Sequence, residues 1–127
     1  MALPNGAGGY QVGDGNVSEV QIFTQTAPAA YTDAATLVPA DLTNGIITFT
    51  NAADKSLQLP LATDLDSLVS SAKTNSSFLF SVIALGAGGA TLTTNTGWTL
   101  VGVAKVTAQN RYVARKTAAG WTLYQVA

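Results

Sequence analysis

Residues 77–85 read SFLFSVIAL, and this stretch decides the fold class. Phe78, Phe80 and Val82 alternate onto one face, while Leu79 and Ile83 fall on the other. A period of two is the mark of a strand, because successive side chains leave a pleated backbone on opposite sides. Apolar residues on both faces predict a central strand covered from both sides. Downstream the pattern repeats: GAGG at 86–89 reads as a turn, followed by β-type runs at 90–94, 99–106, 111–116 and 121–126. Asn95-Thr96-Gly97, Gln109-Asn110 and Ala119-Gly120 separate these runs with turn residues.

Upstream, IITFT at 46–50 is β-branched and aromatic, a clear strand. EVQIFTQT at 19–26 alternates Val20, Ile22 and Thr24 on one face, and brief runs at 34–38 and 56–59 are closed by Pro39 and Pro60. One helix is predicted over about 63–73. Leu61, Leu65, Leu68, Val69 and Ala72 form a 3.6-period stripe, with Asp64 and Asp66 in the first turn and Lys73 in the last. A shorter helical turn is expected over 39–44, with Asp41 near its start and Gly45 ending it. Short strands at roughly 10-residue spacing indicate a sandwich or barrel and not βαβ units. The expected architecture is an all-β sandwich with one helical crossover.

The first 16 residues hold five of the twelve glycines and no sustained periodicity. Glycine loses the most backbone freedom on ordering, so residues 1–16 read as an extended Gly-rich arm that orders against something else. Residues 17–127 then form a single β-sandwich domain, as the length of 127 residues suits one domain.

Composition narrows the chemistry. The chain has no cysteine and no histidine, which removes disulfides, thiolate metal sites, and the commonest general base, metal ligand and pH switch. A Ser-His-Asp or Cys-His apparatus therefore cannot be assembled. Charged residues are only 10% of the chain, against the ~25% usual for a soluble domain. Low charge and positive mean hydropathy suit a protein packed against partners, where a buried charge must be compensated. The charges are also segregated: residues 1–54 hold five acids and no base, and residues 67–127 hold five bases and no acid. Two readings stand: opposite signs meet where the front of one subunit lies against the back of itself or of a neighbour, or the segregation is chance in a sparse set of charges. No basic-then-apolar leader opens the chain, and the longest apolar run is too short for a membrane span of about 20 residues. A protein made in the cytoplasm, with no membrane partner, is expected.

The remaining motifs have plain structural readings. Asp64 and Asp66, the one close carboxylate pair, are explained by a helix start. Asp14-Gly15-Asn16 lacks the alternating oxygen ligands of a calcium loop. The GAGG run opens no helix, so it makes no phosphate cradle. Lys105, Arg111, Arg115 and Lys116 beside Tyr112 suggest a basic patch, but a net charge of −1 argues against a nucleic-acid partner. Trp98 and Trp121 read as core residues ahead of a sugar-stacking platform. No catalytic, cofactor or metal site is expected.

The order of these pieces resembles a pattern in tailed-phage structural proteins. GWTLVGVAKV at 97–106, RYVARKT at 111–117 and GWTLY at 120–124 are similar to three closing strands of that pattern. NGIITFT at 44–50, LQLPLATDLDSLV at 57–69 and NSSFLFSVIALG at 75–86 precede them in matching order, and GYQVGDGNVSEVQI at 9–22 resembles a Gly-rich opening. The resemblance, to the capsid decoration (cement) family, implies a jelly-roll-like β-sandwich on the outer capsid surface of the virion. Its implied partners are the major capsid protein and itself, as a homodimer or homotrimer. A head-fibre or tail-associated receptor- or glycan-binding domain is the alternative, presenting Trp98, Trp121 or Tyr112. The expected subunit interface takes Tyr10, Val12, Val17 and Val20 from the front of the chain and Arg111 and Arg115 from its basic back half.

Overall fold

The structure, a computed structural model, describes residues 22–127. The expected arm at 1–16, and with it Tyr10, Val12, Val17 and Val20, lies outside the described residues. The described chain is mostly β, with two short helices. The strands are β1 (Ala29–Tyr31), β2 (Ala35–Thr36), β3 (Ile46–Phe49), β4 (Lys55–Gln58), β5 (Ser77–Ala84), β6 (Ala90–Thr93), β7 (Trp98–Val101), β8 (Lys105–Val106), β9 (Gln109–Lys116) and β10 (Trp121–Gln125). Helix α1 (Pro39–Asn44) joins β2 to β3, and α2 (Ala62–Leu68) joins β4 to β5.

Two sheets face one core: a six-stranded sheet ordered β1-β3-β5-β9-β10-β7 and a four-stranded sheet ordered β2-β4-β6-β8. From β1 to β6 the chain alternates between them, so each strand from β3 on lies parallel to the one two strands earlier. Ala29, Ile47 and Val82 stack in one column, and Ala35, Leu57 and Leu92 in another. This is a flattened coil of three turns. The hairpin of β9 and β10 then closes the large sheet antiparallel to β5, while β8 closes the small one antiparallel to β6. A jelly roll is antiparallel throughout. Here five of the eight strand pairings are parallel, so the two-sheet β architecture stands and the jelly-roll topology does not. The reason lies in the crossovers. The six residues of α1 and seven of α2 carry the chain back to the start of the large sheet, which a two-residue hairpin cannot do.

The coil is held at its corners as well as in its core. Asn51 Nδ2 donates to the Thr32 carbonyl at 2.7 Å, and the Asn51 carbonyl accepts from Gly88 N–H at 2.8 Å. One residue thus ties the same corner of all three turns together. The turns approach so closely that Gly86 and Gly88 have no room for a β-carbon: one on Gly88 would lie 2.1 Å from the Ala53 carbonyl oxygen. GAGG is a tight stacking site and not an ordinary turn.

Between the sheets, Ile47, Phe49, Phe80 and Val82 meet Leu57, Leu92 and Val106, and Leu37, Leu42, Leu59 and Leu65 seal the helical end. Each such side chain contributes about 1.5–3 kcal/mol by leaving water. Aromatic rings line the large sheet: Phe80 stacks on its cross-strand partner Tyr112 at 5.6 Å, and Trp121 on Trp98 at 6.2 Å.

Several expectations change. Residues 22–28 form no strand, so the expected run at 19–26 is unpaired where it is described. The helix expected over 63–73 stops at Leu68, because Val69 leaves helical geometry (φ −110°, ψ 56°) as the chain turns toward β5. Val69 and Ala72 still pack on the core from that turn, which explains their helix-like spacing. The single run at 99–106 is broken by Gly102, whose φ of 109° passes the chain from one sheet to the other. Strand β5 is central as expected, but only one face is covered: Leu79 is 57% exposed.

Candidate interaction surface

The outer face of the six-stranded sheet is assembled from the alternate residues that the core does not take. Leu79, Val113, Tyr124 and Val101 stand side by side in register across β5, β9, β10 and β7. They form an apolar row over four strands, with Leu79 and Val101 largely exposed. Val103 and Val126 add exposed apolar surface, at 57% and 54%. A row of this kind on an outward sheet face marks a contact surface, since isolated apolar residues are common but aligned ones are not.

Next to the row lies a groove of about 360 Å³ at the β3, β5 and β9 end of the same face, lined by Ile46, Ser81, Ile83, Gln109, Arg111 and Ala127. Arg111 is exposed at its rim, held by backbone hydrogen bonds of its N–H and carbonyl to the C-terminal residues Ala127 and Val126. Arg115 is half-buried on this face. Its guanidinium donates to the Tyr124 hydroxyl at 2.8 and 3.1 Å and to Asn75 Oδ1 at 2.9 Å, and it lies over the Tyr124 ring. Among the described residues neither arginine forms an ion pair. The apolar row is bordered by Ser77, Ser81, Thr99 and Thr122 and by the two arginines.

Three lysines are paired elsewhere. Lys105 pairs with Asp54 at 2.7 Å and Lys55 with Asp33 at 3.6 Å, at the small sheet. The Asp54 carboxyl is held below the usual carboxylate range, first by the Gly89 N–H and then by Lys105. Asp33 is lowered mainly by the Ala34 N–H, with Lys55 beside it. Asp66 accepts from both Lys116 Nζ and Trp121 Nε1 at 2.9 Å. Lys116 is the main cause of its lowered pKa, and Lys116 also sits over the Trp121 ring. The close pair Asp64 and Asp66 is therefore split, with Asp66 serving the core edge. The four cations read as a candidate basic patch are dispersed over both sheets. Asp41 is buried at the start of α1, accepting from the Tyr31 hydroxyl and from Val38 N–H. Burial, with Asp41 beside it, pushes the Tyr31 hydroxyl up to about 12.

Trp98, Trp121 and Tyr112 are 7%, 2% and 0% exposed, so none presents a stacking platform. Trp98 Nε1 donates to the Pro60 carbonyl at 2.7 Å, and the Tyr112 hydroxyl donates to the Val103 carbonyl at 3.0 Å. Of the expected interface residues, the structure brings Arg111 and Arg115 to one face of one strand. It adds Leu79, Val101 and Tyr124, which sequence reasoning missed because they lie far apart along the chain and meet only through strand order. Among the described residues, no group of three or more metal-ligating side chains forms, and no helix is long and apolar enough to cross a membrane. No family model, curated protein or solved structure matches the chain.

Proposed function

We propose that this chain is a structural virion protein that decorates and stabilises a phage capsid by binding between major capsid subunits. The observation that carries this reading is the outward apolar row Leu79–Val113–Tyr124–Val101, on a domain that pairs Lys55, Lys105 and Lys116 with aspartates within the fold. A flat apolar row flanked by arginines suits an extended protein partner better than a small molecule, which needs a concave, enclosed site. The sequence resemblance supplies the identity of that partner. Stabilisation follows by mass action: a protein that binds the assembled shell and not its dissociated subunits shifts the equilibrium toward assembly. Repeated attachment points convert weak single contacts into firm binding through effective concentration.

The fibre alternative draws no support from Trp98, Trp121 or Tyr112, which are all in the core. The test is to incubate the purified protein with expanded phage heads, then measure co-sedimentation and the melting temperature of the shell. Binding with a raised shell melting temperature is expected, and Leu79→Glu should weaken binding at least tenfold while the free domain stays folded. Failure to bind heads, with normal binding to host cells, overturns the decoration reading.

A further inference from the structure

Helix α2 buries one flank and leaves another bare. Ala62 and Leu65 face the core, while Asp66 reaches Lys116 and Trp121. Leu61, Asp64 and Leu68 recur at spacings of three and four, which around a helix places them on one flank. Leu61 and Leu68 are 39% and 51% exposed, and Asp64 is exposed between them. The neighbouring helix α1 opens on Val38, also largely exposed. An aliphatic flank with one carboxylate thus faces water at the helical end.

The groove beside the apolar row has the complementary make-up. Its floor is aliphatic, from Ile46 and Ile83, and its rim carries Arg111. Among the described residues Asp33, Asp54 and Asp66 hold lysines and Asp41 is buried against Tyr31, which leaves Asp64 as the one exposed acid without an ion pair. On the cation side, Arg115 is already engaged by Tyr124 and Asn75, and Lys73, between α2 and β5, makes no pair with Asp64. Arg111 is exposed and has no carboxylate partner among the described residues. Asp64 and Arg111 do not meet within one chain. Asp66 holds α2 against Lys116 at the end of β9, and Arg111 lies five residues back along that strand, about 17 Å away at roughly 3.4 Å per residue. The partner that carries the missing charge is a second copy.

We propose that the bare flank of α2 in one copy docks in the outer-face groove of a second copy, with Leu61 and Leu68 against Ile46 and Ile83 and Asp64 facing Arg111. This rests on the reading of the outer face as an interaction surface, and it needs no capsid. Because flank and groove are different surfaces, at opposite ends of β9, the contact is heterologous and a ring closes it. The apolar row from Leu79 to Val101 remains open for another partner.

The lack of native cysteine makes the test direct. Size-tagged Leu68→Cys protein is mixed with untagged Ile83→Cys protein under mild oxidation, without capsids. The mixed disulfide dimer should form about tenfold faster than with Ser56→Cys, an exposed control on the small sheet. Equal rates overturn the proposal, and so does faster pairing of Leu68→Cys with itself, which marks a contact between identical surfaces. Sedimentation equilibrium supplies a second readout. Asp64→Lys and Arg111→Glu replace exposed side chains and should each weaken self-association about tenfold, and the double variant should restore it to within about threefold. No restoration, or a parent chain that stays monomeric up to about 1 mM, overturns the contact. Heads are absent throughout, so loss of head binding with intact self-association strikes the capsid reading alone.

Discussion

Replacing Gly88 by alanine tests the coiled, parallel architecture directly. Gly88 has an ordinary negative φ, so alanine meets no backbone penalty there and on intrinsic grounds stabilises by about 0.4–1 kcal/mol. The structure predicts the reverse. The new β-carbon would stand 2.1 Å from the Ala53 carbonyl oxygen and 2.3 Å from its carbon, against ordinary contacts above 3.4 Å. The obstacle is backbone, so the corners must part by about 1 Å, straining two hydrogen bonds, Gly88 N–H to Asn51 and Leu85 N–H to Phe49, each 2.8 Å. Overpacking costs about 1–3 kcal/mol, and the two strained bonds add about 1 kcal/mol each when lost. Set against the intrinsic gain, the net cost is about 3 kcal/mol, a large share of a domain stability of roughly 5–15 kcal/mol. Urea unfolding followed by circular dichroism reads this as a lower midpoint at unchanged slope. Ala87→Ser, exposed one residue earlier, is the control and should stay within about 0.5 kcal/mol. If Gly88→Ala lies within 0.5 kcal/mol of the parent, the three-turn stack is wrong, since GAGG would then be an ordinary open turn.

Other expectations concern the core edge and pH. Asp66→Ala leaves the buried Trp121 N–H without its acceptor and removes the Lys116 ion pair, and should cost about 2 kcal/mol, whereas Asp66→Asn, which keeps an acceptor, should cost less than half of that. Tryptophan emission of the free protein should be blue-shifted and resistant to iodide, because both indoles are at least 93% covered, and a red-shifted, quenchable spectrum would refute the core assignment. Asp33, Asp54 and Asp66 all have lowered folded-state pKa values, so their contribution is present above the unfolded carboxylate range and is lost as pH falls below about 4. Tyr31 is shifted the other way, to about 12 from 10.0: its neutral form is favoured by the fold, so that contribution is complete below pH 10 and disappears as pH rises from there to about 12. Melting temperature should therefore be flat from about pH 5 to 9 and fall on both sides, and Tyr31→Phe should flatten the alkaline fall.

Strand content was legible because it rests on local pattern. IITFT became β3 and SFLFSVIA became β5, and α1 matches the expected turn over 39–44, with Gly45 at φ 98° ending it. Pattern and structure part where a non-local contact outweighs a local signal. Gly102 divides an unbroken β-type run because the chain changes sheet there, and Val69 and Ala72 keep a helical spacing while packing from a turn. Ala29–Tyr31 carries little strand propensity of its own and is a strand only because β3 offers it a partner edge. The surface was partly legible. Arg111 and Arg115 are two turns of the pleat apart on one strand, so alternation alone puts them together. Leu79 has the pattern of a covered residue and is exposed, since apolar character predicts burial on average and says nothing of which face of a sheet lacks a neighbour.

Local chemistry alone determined that this is a β-rich chain with one helix and a shorter helical turn, and it excluded histidine and cysteine chemistry outright. Those conclusions depend on residue type and on a periodicity spanning a few positions. Only the tertiary structure decided which strands are neighbours, and with that the parallel stack, the Asn51 corner and the row from Leu79 to Val101. Strand order is a choice among distant partners with nearly equal local preferences. What separates them is the shape of the crossovers: α1 and α2 return the chain to the same end of the sheet, and Gly88 lets successive turns close to backbone contact.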